Sequence, residues 1–280
     1  MRTPSYTEPM DRPTSPSDGH GPRLLALDTA TERMAVAVVD GARHWGAEEA
    51  GGAQTSQRLL PLVFGLLERA GLTLADLDAV AFGRGPGAFT GLRTACSVAQ
   101  GLAFGAGLPV LPIDSLALIA EDAWARYGDA ARQVWVAMDA RMDEAYAAAY
   151  SRSDGQWVAT HEPALWTVVA LAAAWQRDPP TCVAGSALAA FADRLPSGPA
   201  LRLGVPHDRA AALANLARQA WLQGRAVDAA LALPLYLRDK VALTTAEREA
   251  AAAVKNKTPP RSTHVFNSSA AVRVRLGPDR

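Results

Sequence analysis

Cysteine is scarce in this chain. Cys96 and Cys182 are the only two in 280 residues, and they fit no CxxC or zinc-ligand spacing. That excludes a disulfide framework, and both read as small apolar core residues of a protein kept in reducing, cytoplasmic surroundings. The histidines, His20, His44, His161, His207 and His264, include no pair at ligand spacing, so no two-histidine metal site can be built on one helix face. Net charge is absent too: 28 Lys and Arg balance 28 Asp and Glu. With no overall field to draw in nucleic acid or anionic lipid, any role on RNA must come from a local patch or a partner. No apolar run approaches the ~20 residues that span a bilayer, so a membrane role is not expected. The first 22 residues, with five prolines, lack the apolar centre of a secretory signal and read as a disordered leader. HExxH and GxSxG are missing, and "GPGAFTGLR" (85–93) lacks the Lys-Ser/Thr that completes a Walker loop.

What remains is a strong alternation of strand and helix signals. "RLLALDTA" (23–30) is an apolar run ending in Asp28, "MAVAVVD" (34–40) a second strand and "ARHWGAEEA" (42–50) a third. Helical periodicity follows over 55–71, with Leu59, Leu62, Val63, Leu66 and Leu67 on one face. A strand (77–83), a helix (89–107), a strand (108–114) and a helix (115–128) complete the first half. The second half repeats the outline. "VWVAMDARMDEAYAAAY" (134–150) matches "LLALDTATERMAVAVVD" (24–40), with Asp139 in the place of Asp28, and "TCVAGSALAAF" (181–191) echoes "DAVAFGRGPGAF" (78–89). An amphipathic helix (209–224) lies near the end of the second copy, and 233–244 reads as a final extended segment. Residues 254–280 carry six Lys and Arg against one Asp; they read as a solvated tail, with an RNA-facing arm as the alternative.

Such a duplication, each copy opening with a strand that ends in aspartate, predicts an α/β chain with the duplicated actin-like, ribonuclease-H-like (ASKHA) architecture, two lobes each holding a mixed sheet flanked by helices. Two readings of Asp28 and Asp139 stay open. Either they hold metal-bound water near nucleotide phosphates between the lobes, or each hydrogen-bonds its own turn. "GRGPGAFTGLR" (83–93) is equally ambiguous. Gly83, Gly85 and Ala88 spell a dinucleotide-type GxGxxA, with Asp114 as a distant ribose carboxylate, but Pro86 removes one amide donor from the cradle. Packing accounts for more residues. Gly91, Ala95, Ala99, Gly101 and Gly105 recur along the following helix, where an interior glycine costs about 1 kcal/mol relative to alanine, so close helix contact is expected in return.

Four stretches, "LLALDTATERMAVAVV", "SQRLLPLV", "GRGPGAFTGLRTACSVAQGLAFGAGLPVLPIDSLALIA" and "PLYLRDKVA", resemble the bacterial TsaB family from about Arg23 to Arg248. The resemblance implies a non-catalytic subunit that works with its homologue TsaD to transfer threonylcarbamoyl from its adenylate to the tRNA adenosine beside the anticodon. TsaD-type relatives carry two metal-binding histidines four residues apart on the helix after the glycine-rich one; here Ser115 and Ile119 stand there. An actin-like ATP-dependent phosphotransferase and a glycoprotease-like hydrolase are the alternatives.

The expected organisation is a leader (1–22), a first lobe (23–128) with partner-binding helices at about 56–70 and 90–106, a second lobe (129–248) and a basic tail (249–280). No residue is expected to be catalytic or to bind metal. Asp28, Thr29, Arg84, Gly85, Gly87 and Asp139 are the candidates nearest any nucleotide phosphate. The candidate partner face comprises Leu60, Phe64, Arg93, Thr94, Ser97, Val98, Gly101, Leu102 and Gly105. Arg93, a cation at a helix start, is expected to need an acidic partner. By the resemblance, the chain alone binds no cofactor, with ATP or ADP and magnesium at the interface of the complex as an open alternative. Its partners would be TsaD, a TsaE-type ATPase, tRNA through the complex and, when alone, a second copy of itself.

Overall fold

The computed structural model describes residues 21–238. The basic tail, most of the leader and the second half of the segment 233–244 lie outside the described residues.

Two five-stranded sheets share one plan. The first contains β1 (Arg23–Asp28), β2 (Arg33–Asp40), β3 (Arg43–Ala50), β4 (Ala79–Gly85) and β5 (Val110–Asp114), with helices α1 (Thr55–Ala70), α2 (Phe89–Ala106) and α3 (Ser115–Tyr127). The second contains β6 (Gln133–Arg141), β7 (Glu144–Ser153), β8 (Gln156–Thr167), β9 (Cys182–Ala184) and β10 (Leu201–Leu203), with α4 (Val168–Arg177), α5 (Ala187–Ala190) and α6 (Arg209–Leu222). The strand orders are β3-β2-β1-β4-β5 and β10-β9-β6-β7-β8. In both, the first three strands pair antiparallel and the last two join parallel to the first. The chain thus has the duplicated actin-like fold, copied as ββαβαβα after an opening strand. The weakly patterned β8, α4 and β10, which complete the second copy, were not recognised in the sequence.

Side chains alternate along each strand, which explains how one sheet serves two cores. Leu25 and Leu27 of β1 pack with Val36, Val38, Phe82 and the inner faces of α1 and α2. Leu24 and Ala26 point the other way, into a central core shared with α3, α6 and the near face of the second sheet. Both sides of β1 are therefore apolar, as in a strand covered on both faces. The far face of the second sheet packs under α4 and α5, around Trp175 and Phe191. Both cysteines are buried, and desolvation pushes the Cys182 thiol up to about 11, which suits a core residue.

The third helix of each copy lies in the middle layer, across from its own sheet. Glu121 of α3 reaches the second sheet, where it accepts from Trp157 Nε1 (2.8 Å) and pairs with Arg152 (2.6 Å). Helix α6, placed by the sequence at the end of the second copy, lies against the first sheet: Glu48 of β3 accepts its Arg209 amide (2.7 Å), and a Cβ on Gly46 would meet Ala210 Cβ at 2.8 Å. Beyond α6 the chain returns to the first half as well, with Val227 bridging Val110 and the Leu235 amide donating to the Arg84 carbonyl (2.7 Å). Among the described residues, no helix is long and apolar enough to cross a membrane.

Candidate functional site

Asp28 ends β1 with its side chain fully buried. One carboxylate oxygen accepts the Ala30 amide (3.1 Å) and forms an ion pair with Nη2 of Arg209, at the start of α6. The other accepts from Ser115 Oγ (2.7 Å), and the same hydroxyl accepts the Gly85 amide (3.2 Å). Arg209 is itself buried; its Nη1 donates to Thr31 Oγ1 (2.6 Å) and to the Arg33 carbonyl (2.7 Å). Asp28 thus accepts from its own turn, and it also anchors the late helix. Ser115 is a structural linker, donating to Asp28 and accepting from the Gly85 amide. Ile119 is buried in the central core. Sequence reasoning missed Arg209. The available signal was an arginine opening an amphipathic helix whose other buried positions are apolar.

Asp139 is the counterpart in the second sheet. It accepts the amide of Arg141 (2.8 Å) and a donation from that residue's guanidinium (3.3 Å), while the Asp139 amide donates to Ser186 Oγ (3.1 Å). Arg141 also pairs with Glu32 (3.0 Å), so the two strand-ending turns meet across the halves.

The glycine-rich loop turns around the β1 turn rather than around open space. A Cβ on Gly83 would overlap the Asp28 carboxylate, one on Gly91 would overlap the Thr29 carbonyl, and one on Gly87 would stand 2.5 Å from the Ala30 carbonyl. Thr29 Oγ1 donates to the Gly91 carbonyl (2.6 Å), and the Ala88 amide donates to the Ala30 carbonyl (2.8 Å). The Gly85 and Ala88 amides, which a phosphate cradle would use, are therefore engaged within the fold. Arg84 is half-buried, and its buried Nε makes no hydrogen bond among the described residues. Nearby, burial pushes the Asp114 carboxyl above its ordinary range, and Tyr150 donates to it (2.6 Å). Asp114 also caps α3 through the Leu116 amide (2.9 Å), a structural task for the residue considered as a ribose ligand.

Helix α2 sorts its small residues into two sets. Ala95, Ala99 and Ala103 are buried against the sheet, together with Leu92 and Cys96. Among the described residues, a Cβ on Gly101 or Gly105 would have nothing within 4 Å, and the same holds for Gly65 of α1. Outward side chains on the same helices are Leu60 (39% exposed) and Phe64 (48%) on α1 and Phe104 (60%) on α2. Phe104 was not singled out in the sequence, because its period relative to Gly101 becomes informative only once the buried face is known. Ser97 is exposed, whereas Val98 and Leu102 are half-buried against the outer core. Thr94 Oγ1 donates back to the Thr90 carbonyl (3.0 Å). Arg93 has an intramolecular partner in place of the expected acidic one. Its guanidinium lies 3.9 Å from the Phe89 ring centroid and donates to the Tyr236 hydroxyl (3.2 Å).

Among the described residues, no three His, Cys, Asp or Glu side chains cluster as a metal centre would require. Exposed apolar side chains on α1 and α2 are Leu60, Phe64 and Phe104; others, such as Val169, Val205 and Leu233, lie elsewhere on the surface.

Comparison with known proteins locates this arrangement. The family model described as "TsaD: tRNA N6-adenosine threonylcarbamoyltransferase" matches residues 49–192. The tRNA threonylcarbamoyladenosine biosynthesis protein TsaB of Escherichia coli K12 is 37% identical over 224 residues, 79% of this chain and 96% of that protein. Among solved structures, a Pseudomonas aeruginosa protein described as similar to peptidase YEAZ superposes with a TM-score of 0.71 at 39% identity, covering 78% of this chain and 100% of the other. YeaZ from the same organism gives 0.68 at 39% identity, over 77% of this chain and all of its own.

Proposed function

The chain belongs to the TsaB family of tRNA threonylcarbamoyladenosine biosynthesis proteins, and from that premise we propose that it is the accessory, non-catalytic subunit that docks a TsaD-type homologue through the outer face of α1 and α2. The observation that carries this reading is the pair of bare glycines on α2. Each lowers helix stability by about 1 kcal/mol relative to alanine. Among the described residues nothing approaches them to offset that, Phe104 on the same helix is exposed beside them, and Leu60 and Phe64 are exposed on α1. A facing helix laid over Gly101 and Gly105 supplies close backbone contact and covers the aromatic side chains at once. The family model covers both helices, so a TsaD-type partner has the corresponding pair to offer.

In this role the subunit holds the catalytic homologue in its working conformation in the cytoplasm. The homologue moves threonylcarbamoyl from its adenylate to the tRNA adenosine, and a TsaE-type ATPase resets the complex. A second copy of the chain occupies the same face when the partner is missing. The test is a reconstitution. The chain alone transfers nothing, and its omission abolishes modification by the TsaD homologue. Gly101→Glu, at a position with open space around it, abolishes co-purification with the homologue while the melting temperature stays within a few degrees of the parent's. Transfer by the lone chain, or undiminished capture by Gly101→Glu and Phe104→Glu, refutes the proposal.

A further inference from the structure

We propose that Arg209 fills, with the chain's own guanidinium, the place beside Asp28 where an actin-like fold would seat a divalent cation, so that the first-sheet aspartate is closed to magnesium nucleotide. The residues present do not fit such a ligand. A cation seat needs a carboxylate with free lone pairs open to water and phosphate. Asp28 has no exposed surface, and its oxygens are taken by Arg209, Ser115 and the Ala30 amide. The guanidinium in turn is held by Thr31 Oγ1 and the Arg33 carbonyl, and the Arg209 amide by Glu48. A divalent ion could enter only by expelling a buried, hydrogen-bonded positive charge and leaving it without a partner. The packing of the loop adds a second barrier. Gly83 has no Cβ because the Asp28 carboxylate lies against it, so no space for a hydrated ion remains on that side. Without the cation, phosphate and carboxylate repel, and two amides of the loop, Gly85 and Ala88, already have acceptors.

Helix α6 delivers the arginine across 181 residues of chain. One contact thus neutralises the aspartate without metal and fastens the returning helix to the first sheet. The inference does not depend on the docking partner, and the isolated chain suffices to test it. Mn2+ is titrated into the parent protein, Asp28→Asn, Arg209→Lys, Arg209→Met and the double variant Arg209→Met/Asp28→Asn, following water-proton relaxation and melting temperature. The parent and Arg209→Lys bind no Mn2+ that depends on Asp28. Arg209→Met, with its aspartate uncovered, gains Mn2+ binding and is stabilised by roughly 5 °C at saturation, a gain that Asp28→Asn removes. Mn2+ binding by the parent that Asp28→Asn abolishes overturns the proposal, as does a folded Arg209→Met that ignores the ion. Should Arg209→Met not fold with or without Mn2+, the parent and Arg209→Lys titrations decide by the same criterion.

Discussion

Asp28, the last residue of β1, and Asp139, two residues before the end of β6, lie in sheets with the same strand order, accept the amide two residues on, and each face an arginine. Their settings differ. Asp28 and Arg209 are both buried, whereas the Arg141 side chain is 74% exposed and divides itself between Asp139 and Glu32. The comparison teaches that duplication preserved the turn chemistry while tertiary packing assigned the two copies different duties. The first became an internal rivet holding α6, and the second stayed at the surface, where water and salt screen it.

The sharpest way to break that contrast is to remove each arginine in turn. Arg209→Met leaves a buried carboxylate without its counter-ion and is expected to destabilise the fold by about 3–5 kcal/mol. Arg141→Met removes an exposed pair and is expected to change stability by no more than about 1 kcal/mol. Urea titrations of the two variants give the comparison directly. Equal effects would mean that burial does not separate the copies.

Glycines sharpen the same division within the first half. Gly91→Ala drives a Cβ into the Thr29 carbonyl, and a loss of about 3 kcal/mol is expected, since backbone can give way less easily than a side chain. Gly101→Ala meets open space and is expected to stabilise the isolated chain by about 1 kcal/mol through helix propensity. If Gly101 meets a facing helix, the same variant weakens capture of the TsaD homologue while raising the melting temperature. Opposite signs for the two observables distinguish a docking position from an inert one.

The smallest effect concerns Asp114, which ends β5 as Asp28 ends β1. Desolvation holds its carboxyl above the ordinary carboxylate range despite the Tyr150 hydroxyl and the Leu116 amide. The folded state therefore keeps this proton to higher pH than the unfolded chain does. Stability from this group is complete below the unfolded value and is lost as pH rises through the raised folded value. Asp114→Asn retains the helix-capping acceptor and is expected to flatten that decline. An unchanged slope of stability against pH between the two proteins would remove Asp114 as its source.

Much of the fold was readable in local pattern. Alternation in "LLAL" and "MAVAVV", the 3.6-residue recurrence in 55–71, and the matching order around Asp28 and Asp139 were enough to predict two similar sheets. The site was less readable. The exposed Leu60 and Phe64 followed from their angle on α1, but Gly101 and Ala99 look alike in the sequence. Only the fold shows that one faces outward and the other lies in the core. Arg93 looked like an unmet charge until Phe89 and Tyr236, the latter 143 residues away, proved to cover it.

The sequence by itself determined the elements of the first half and the duplication, because both are written in the types and spacing of neighbouring residues. Tertiary structure alone decided that α6 crosses to the first sheet, that Arg209 meets Asp28 and that the glycine loop wraps the Thr29–Ala30 turn. Those outcomes arise from burial between segments far apart in the chain. The free energy of excluding water from such a pair depends on what surrounds it in space, and no periodicity along the chain encodes that.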